Sequence, residues 1–425
     1  MKLVLPRKSS GGSAGFLALY ALLCLFSLAV LWSVTEGLHG SYQEVAPVVS
    51  KTVFWRQVVW ILLGWTALLT AMRLPLHLLE ESAPLLFGLT LAVLALVLVA
   101  APEVAGSRRW FALGPVRIQP SEPAKIMLIL MLARVLGRSA PGDQRLLPLA
   151  GSALLMMAPL ALVLKEPDLG TSLVFLAIWL GIVFWYGLSW VVLLCTASPL
   201  LSAGFSFYSE RILMGQPWPW AVYLLVLLAA LSVARFRLLE SILLLLVNIA
   251  SGIGTSVFWA GLKGYQQARI LSFFQPEKYP QGAGYQAIQS KIAIGSGGVF
   301  GTQYLQGTQK GLAFLPERHT DFIFSVVGEE LGLVGAAALL AIFLTLILKG
   351  VTVATKARRP FNALLAIGVV TYFTFHVVVN ISITTGLMPV TGLPLPFMSY
   401  GGSNFLVSSF MLGLLINVGS RSFES

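Results

Sequence analysis

The segment "FLPERHTDFIFSVVGEELG", residues 314–332, crowds six ionisable side chains (Glu317, Arg318, His319, Asp321, Glu329 and Glu330) around the start of an apolar run. Acids and bases gathered at a cavity edge perturb one another's pKa, which is the arrangement proton transfer requires. Asp321 alone has a structural reading, as N-cap of a helix starting near Phe322, with solvated neighbours. That reading does not account for Glu317, Arg318 and His319 arriving with it. Glu329 and Glu330, two turns deeper, need partners or water, and their structural role would be pairing with an internal Lys or Arg.

A second group lies in "GSRRWFALGPVRIQPSEPAKI", residues 106–126. Pro120 and Pro123 suit a first helical turn, where the missing N–H has no partner to lose. Glu122 and Lys125 then stand three apart on one helix face at the membrane edge, either as a mutual ion pair or as part of a site. Arg108, Arg109 and Trp110 precede that helix. The Trp is an interfacial anchor or a platform for a sugar ring, with guanidiniums that hold phosphate oxygens. In "LKEPDLGTSL", 164–173, Asp168 precedes a helix start and caps it, or supplies a second carboxylate on the same side. The Gly-rich run "IAIGSGGVFGTQ", 292–303, is flexible backbone or an N–H nest for an anion. The three-proline stretch "MPVTGLPLPFMSYGGSN", 388–404, cannot be a regular helix, and at such depth it shapes the wall of a wet cavity.

The elements that must position these groups are transmembrane helices. Of 425 residues, 57% are hydrophobic and 11% charged, with a mean hydropathy of +0.85. Soluble domains carry roughly 25% charged residues. About twelve segments approach the ~20 apolar residues of a span: 16–34, 55–72, 84–101, 120–136, 147–164, 169–187, 189–207, 219–234, 238–258, 323–348, 361–384 and 401–418. They are too long for barrel strands, so the expected class is an all-α polytopic membrane protein with 1–425 as a single integral membrane domain. The basic N-terminus followed by an apolar stretch reads as an uncleaved first helix, and Cys24 and Cys195, both in expected spans, form no disulfide framework.

With both termini in the cytoplasm, Arg73, Arg134, Arg138, Arg145, Arg235, Arg237, Lys349, Lys356, Arg358, Arg359 and Arg421 join Lys2, Arg7 and Lys8 inside. Lys51, Arg56, Arg108, Arg109, Arg117, Lys165 and Arg211 fall outside. The net charge of +11 is either affinity for anionic lipid or a basic outer surface that receives an anionic substrate. Residues 259–321 form the one large external loop. Within it Tyr285, Ile288, Gln289 and Ile292 recur at helical spacing, which predicts an amphipathic interfacial helix with Gln286 and Ser290 on another face.

At these motifs the sequence resembles a known family. "FLPERHTDFIFSVVGEELG", "QGAGYQAIQSKIAIGSGGVFG", "EPDLGTS" and "GLPLPFMSYGGS" together look like the SEDS family of shape, elongation, division and sporulation proteins. Arg318, where division members tend to have Ala, puts the likeness on the elongation side. The resemblance implies a peptidoglycan glycosyltransferase that polymerises lipid II at the outer face of the bacterial cytoplasmic membrane. It makes Asp321 the essential carboxylate, with Arg109, Trp110, Glu122, Lys125, Asp168, Lys291, Glu317, Arg318, His319 and Ser399 as substrate-binding residues. The family usually has ten spans, so residues 209–259 are expected to be an inserted transmembrane hairpin. Implied partners are lipid II, a single-span class B penicillin-binding protein and other elongation-complex proteins, with no nucleic acid.

The implied chemistry suits these residues. An α-linked donor giving a β-linked product needs one inverting displacement and one general base, and a neutralised pyrophosphate leaves without a second acid. Asp321 is the expected base, with Arg109 and Lys125 on the pyrophosphate. No His/Cys cluster has metal-ligand spacing, so a cofactor would be at most a divalent cation, Mg²⁺ or Mn²⁺, shared with the phosphates. Two other functions use the same groups: a lipid II flippase, and a non-catalytic scaffold of a cell-wall synthesis complex.

Overall fold

The computed structural model describes residues 10–36, 50–102, 108–113, 116–138, 146–187, 190–233, 238–278, 282–307 and 317–421. Lys2, Arg7, Lys8, Arg145, Arg235, Arg237 and the Cys195 side chain lie outside the described residues, while Cys24 is buried in the first helix. Each expected span corresponds to a helix: α1 (Ser10–Glu36), α2 (Lys51–Arg73), α3 (Leu76–Ala100), α4 (Ser121–Gly137), α5 (Leu146–Lys165), α6 (Leu169–Tyr186), α7 (Trp190–Phe207), α8 (Trp218–Val233) and α9 (Leu238–Gly261) before the long loop. Two shorter helices, α10 (Gly264–Phe274) and α11 (Ala283–Gly297), lie within it, and α12 (Ile323–Lys356), α13 (Pro360–Thr384) and α14 (Gly402–Ser420) follow. Eight of the helices are long and apolar enough to cross a membrane. The 17 residues of α4 and 16 of α8 still rise ~25 Å, close to the thickness of the hydrocarbon layer.

Burial grades inward. α13 and α14 are the most enclosed spans, and α4 and α6 pack on α13, so the polar groups at their ends are held by helices that lipid does not reach. Buried polar side chains join these elements by completing helix termini. The Asn417 amide of α14 donates to the carbonyls of Ala71 (2.8 Å) and Leu74 (2.7 Å) at the end of α2. By contrast α8 and α9 pack on α7 and leave Leu225, Leu243, Leu246 and Val257 exposed, as lipid-facing side chains would be.

Two features differ from expectation. Between α3 and α4 the chain makes a small antiparallel hairpin, β1 (Phe111–Leu113) with β2 (Val116–Ile118), whose strands are too short for an alternating pattern to announce them. And α11 forms where the periodicity put it, while the face by which it packs on the bundle is one the periodicity did not single out. Ser290, Ala293 and Gly297 are buried, while Ile292 is 46% exposed. The cause is close backbone packing on α12, since a Cβ at Gly297 would lie 1.9 Å from the Gly328 carbonyl oxygen. Small residues are therefore needed there.

The Gly-rich run resolves the same way. Gly301 carries φ +83, and a Cβ on it would lie 2.0 Å from the Glu330 carbonyl oxygen. α12 is interrupted at Gly332 (φ 63, ψ −161), and the N–H groups of Leu333 and Val334 instead donate to the carbonyls of Gly298 (3.0 Å) and Val299 (3.1 Å). The glycines let an external segment cross a broken helix and satisfy its backbone. They serve packing rather than an anion nest.

Candidate active site

Three starts and one loop converge at one end of the bundle. α4, α6 and α14 begin there, and the proline-rich segment 388–401 runs between α13 and α14 without regular structure. The segment carrying Asp321 is tied to that loop. Tyr400 N–H donates to the His319 carbonyl (2.8 Å), and the Ser399 hydroxyl donates to the Thr320 carbonyl (2.6 Å). The Asn380 amide of α13 donates to the carbonyls of both Asp321 (2.8 Å) and Leu393 (2.8 Å). Together these elements enclose a cavity of about 470 Å³ lined by Arg109, Trp110, Arg117, Gln119, Glu122, Asp168, Thr171, Arg269, Glu317, Thr320, Asp321, Tyr400 and Asn404, among others.

Asp321 does not cap α12. The N-cap position is Phe322 and no side-chain capping bond is made there. The half-buried Asp321 carboxylate instead faces the cavity beside Gly392, whose built Cβ would be 3.4 Å from Oδ2. Its pKa is pushed up to about 7, chiefly by burial and also by Glu317 and Asp168, against the pull of Arg269. Burial outweighs the neighbouring Arg269 and leaves a group poised between its two states near neutrality, the condition that favours a general base.

Asp168 combines both of its expected roles. Its carboxylate accepts from Thr171 N–H (3.1 Å) as cap of α6, from the Thr171 hydroxyl (3.1 Å) and from the Gln119 amide (3.2 Å), and it lines the cavity. Arg109 stands 3.8 Å from it and is oriented by donating from Nε to the Glu166 carbonyl (2.8 Å) and from Nη2 to the Pro167 carbonyl. Trp110 lies on the same wall.

Several expected substrate contacts do not line the cavity. Lys125 is fully buried behind Glu122, paired at 2.7 Å, with its ammonium 5.6 Å from the Tyr372 ring centre. Only Glu122 reaches the cavity, where Asn404 donates to its second oxygen (3.1 Å). A cation at the membrane edge is held by a carboxylate one turn away, and that pairing turns it from the substrate. Arg318 is buried, and the charge of Glu329 opposes the lowering of its pKa by burial. His319 is half-buried with its ring 5.7 Å from that of Tyr400, and burial lowers its pKa. Ser399 is buried and braces the loop, accepting from Leu395 N–H (2.8 Å). Lys291 is exposed and lines a separate narrow cleft, its side chain lying over Gly386. Glu329 and Glu330 are buried; Glu330 accepts from the Ser33 hydroxyl of α1 at 2.5 and 2.6 Å.

Two functional candidates went unsingled in the sequence. Arg269, on α10, lines the cavity and acts on Asp321, and only its place in a basic external loop hinted at it. Glu166 is 1% exposed, neither of its carboxylate oxygens has a hydrogen-bond partner, and burial with Asp168 beside it pushes its pKa up to about 8. An apolar groove of about 400 Å³, walled by Leu164, Leu173, Leu176, Leu200 and Ile270, adjoins the polar cavity and shares Arg109, Asp168, Arg269 and Thr391 with it.

The family model FTSW_RODA_SPOVE, cell cycle protein, matches residues 13–218 and 215–423. This chain belongs to that family, the SEDS proteins. Among curated relatives, the Escherichia coli K12 peptidoglycan glycosyltransferase MrdB is 34% identical over 403 residues, covering 95% of this chain and 91% of that one. The Treponema pallidum peptidoglycan glycosyltransferase RodA is 33% identical over 427 residues, covering 96% and 97%. A chain solved within a peptidoglycan synthase complex, in a study of how polymerization and crosslinking are coordinated, is 32% identical with a TM-score of 0.69 and covers 97% of this chain and 98% of that one. The chain is thus a RodA-like, multi-pass α-helical membrane protein. Three of its four SEDS-type motifs, 166–172, 314–332 and 392–403, contribute residues to the cavity lining, whereas 281–301 does not.

Proposed function

We propose that this protein is a peptidoglycan glycosyltransferase that polymerises lipid II at the outer face of the cytoplasmic membrane during elongation, with Asp321 as general base. One observation carries the reading: a polar chamber holding a carboxylate whose pKa is raised to about 7 adjoins an apolar groove, and two arginines stand at the join. A donor with a sugar head, a charged pyrophosphate and an apolar tail needs those three environments in that order.

In the reaction, Asp321 takes the proton from the acceptor sugar hydroxyl as its oxygen attacks the donor anomeric carbon. The carbon–oxygen bond to phosphate breaks with inversion, and the pyrophosphate departs with the electron pair. Arg109 and Arg269, at the mouth of the groove, neutralise its growing charge, and Trp110 offers a ring face to a sugar. Glu122, fixed by Lys125 and Asn404, is a hydrogen-bond acceptor for substrate hydroxyls. Among the described residues no three His, Cys, Asp or Glu side chains cluster as a metal site. Asp168 and Asp321 are the carboxylates that would hold a Mg²⁺-like ion, which would supply charge neutralisation for the leaving group.

The relatives' names support the activity, and the neighbour from a synthase complex supports a crosslinking partner, which we assign to a class B penicillin-binding protein. Both termini are placed in the cytoplasm on the charge pattern, and α8–α9 are read as a hairpin added to a ten-span core. The test is polymerisation of purified lipid II by the wild type and by Asp321→Asn, with products resolved on gels. Loss of at least ~10²-fold is expected for a positioned base; glycan synthesis at the wild-type rate by a folded Asp321→Asn protein would refute the assignment. Translocation of lipid II in proteoliposomes that survives the substitution would favour a flippase instead.

A further inference from the structure

The end of the bundle remote from Asp321 contains a further cavity, of about 320 Å³, where the start of α1 meets the ends of α12 and α14. Its volume is at the low end of the ~300–1,000 Å³ usual for small-molecule sites. Lys349, Lys356, Thr352, Ser13 and Ser420 supply its polar lining, and Phe16 part of its apolar wall.

Lysines at the inner end of a span normally extend outward to water. Lys349 does not. It is half-buried, its ammonium lies 5.9 Å from the centre of the Phe16 ring, and it rests against α1 where a Cβ at Gly15 would come within 2.7 Å of Nζ. The glycine makes room for a cation folded inward, to the rim of a cavity. Residues 331–421 contain no Asp or Glu, and among the described residues neither Lys349 nor Lys356 takes part in an ion pair. Two ammonium groups with hydroxyls around a concave site fit a phosphate oxyanion.

The surface above the cavity says which phosphate. Leu340, Leu344 and Leu348 are exposed one turn apart on α12, and Thr352, the next residue of that stripe, lines the cavity. A phosphate held at Thr352 would carry acyl chains straight along the leucines. We infer that this cavity is a binding site for the phosphate headgroup of an anionic phospholipid, seated between α1, α12 and α14 on the face opposite the proposed active site.

The test uses full-length protein in detergent, titrated separately with phosphatidylglycerol, phosphatidylcholine and inorganic phosphate, with bound ligand counted by native mass spectrometry. Phosphatidylglycerol is expected to bind stoichiometrically and phosphatidylcholine weakly. The double substitution Lys349→Gln with Lys356→Gln should weaken phosphatidylglycerol on the order of 10-fold, and Lys349→Arg with Lys356→Arg should retain it. Inorganic phosphate binding as tightly, with the same lysine dependence, would keep the site and make its ligand a soluble phosphate. Wild-type affinity in the double Gln protein, or no preference of the wild type for either phosphate ligand over phosphatidylcholine, would overturn the inference. Should the double Gln protein lose monodispersity, Lys356→Gln, at the exposed lysine, carries the test. No arm measures lipid II polymerisation, so the result is independent of the proposed activity.

Discussion

Glu317 and Asp321 line one wall of the chamber, and the charge of the first adds to burial in raising the carboxyl of the second, while Arg269 draws it down. A general base acts in its ionised form, so a raised pKa means that activity is gained as pH rises through that value. The rate of polymerisation should climb with a midpoint near the Asp321 value of about 7. Glu317→Gln removes a like charge and should move the midpoint down; Arg269→Gln removes an opposing one and should move it up. A pH–rate profile of the three proteins checks both signs, and equal midpoints would remove Asp321 as the titrating group.

Glu166 gives a pH effect on stability rather than rate. Its folded pKa, about 8, lies above the 4.5 of an exposed carboxyl. Below pH ~4.5 both states are protonated and nothing is lost; between the two values only the unfolded state releases its proton, so folded stability falls as pH rises through that window. Glu166→Gln abolishes the penalty. Its apparent Tm should match the wild type at pH 4.5 and exceed it at pH 8, by an amount on the order of a few kcal/mol in stability. Thermal unfolding in detergent at the two pH values is the measurement.

What was legible in the sequence was hydrophobic length and the identity of chemical groups. All twelve expected spans coincide with helices because a span is a run of apolar residues, readable without neighbours, and Asp321, Asp168, Arg109, Trp110, Glu122 and Glu317 do converge on one chamber. What was illegible was direction. Lys125 and Arg318 carry the right charge, yet both are buried off the chamber, Lys125 in the ion pair with Glu122 that its spacing allowed and Arg318 within the influence of the Glu329 charge. Arg269 was hidden for the converse reason: it sits in a loop rich in basic residues, and only the fold brings α10 over Asp321. The face by which α11 packs was not legible because it is set by the closeness of the Gly328 backbone, which rewards small residues over apolar ones.

The buried Lys125–Glu122 pair should behave as a structural unit. Removing the lysine alone leaves a carboxylate at 4% exposure without its cation, a change that typically costs about 3–5 kcal/mol. Lys125→Met is therefore expected to lower the apparent Tm sharply, and Lys125→Met with Glu122→Gln to recover much of the loss while polymerisation stays depressed, because Glu122 also faces the chamber. Independent, additive losses from the two substitutions would show that the pair is not coupled.

Close packing at the broken helix makes a prediction free of any catalytic premise. Gly301 combines positive φ with a built Cβ only 2.0 Å from the Glu330 carbonyl oxygen. Gly301→Ala should cost at least ~2 kcal/mol through strain and overpacking. Because the displaced segment holds the Glu330 end of α12, whose carboxylate binds Ser33 of α1, the effect should spread to α1. Hydrogen exchange in Gly301→Ala should rise both around residue 301 and along the outer turns of α1. A stable variant with unchanged exchange would mean that the crossing segment is not what holds the two helix halves in register.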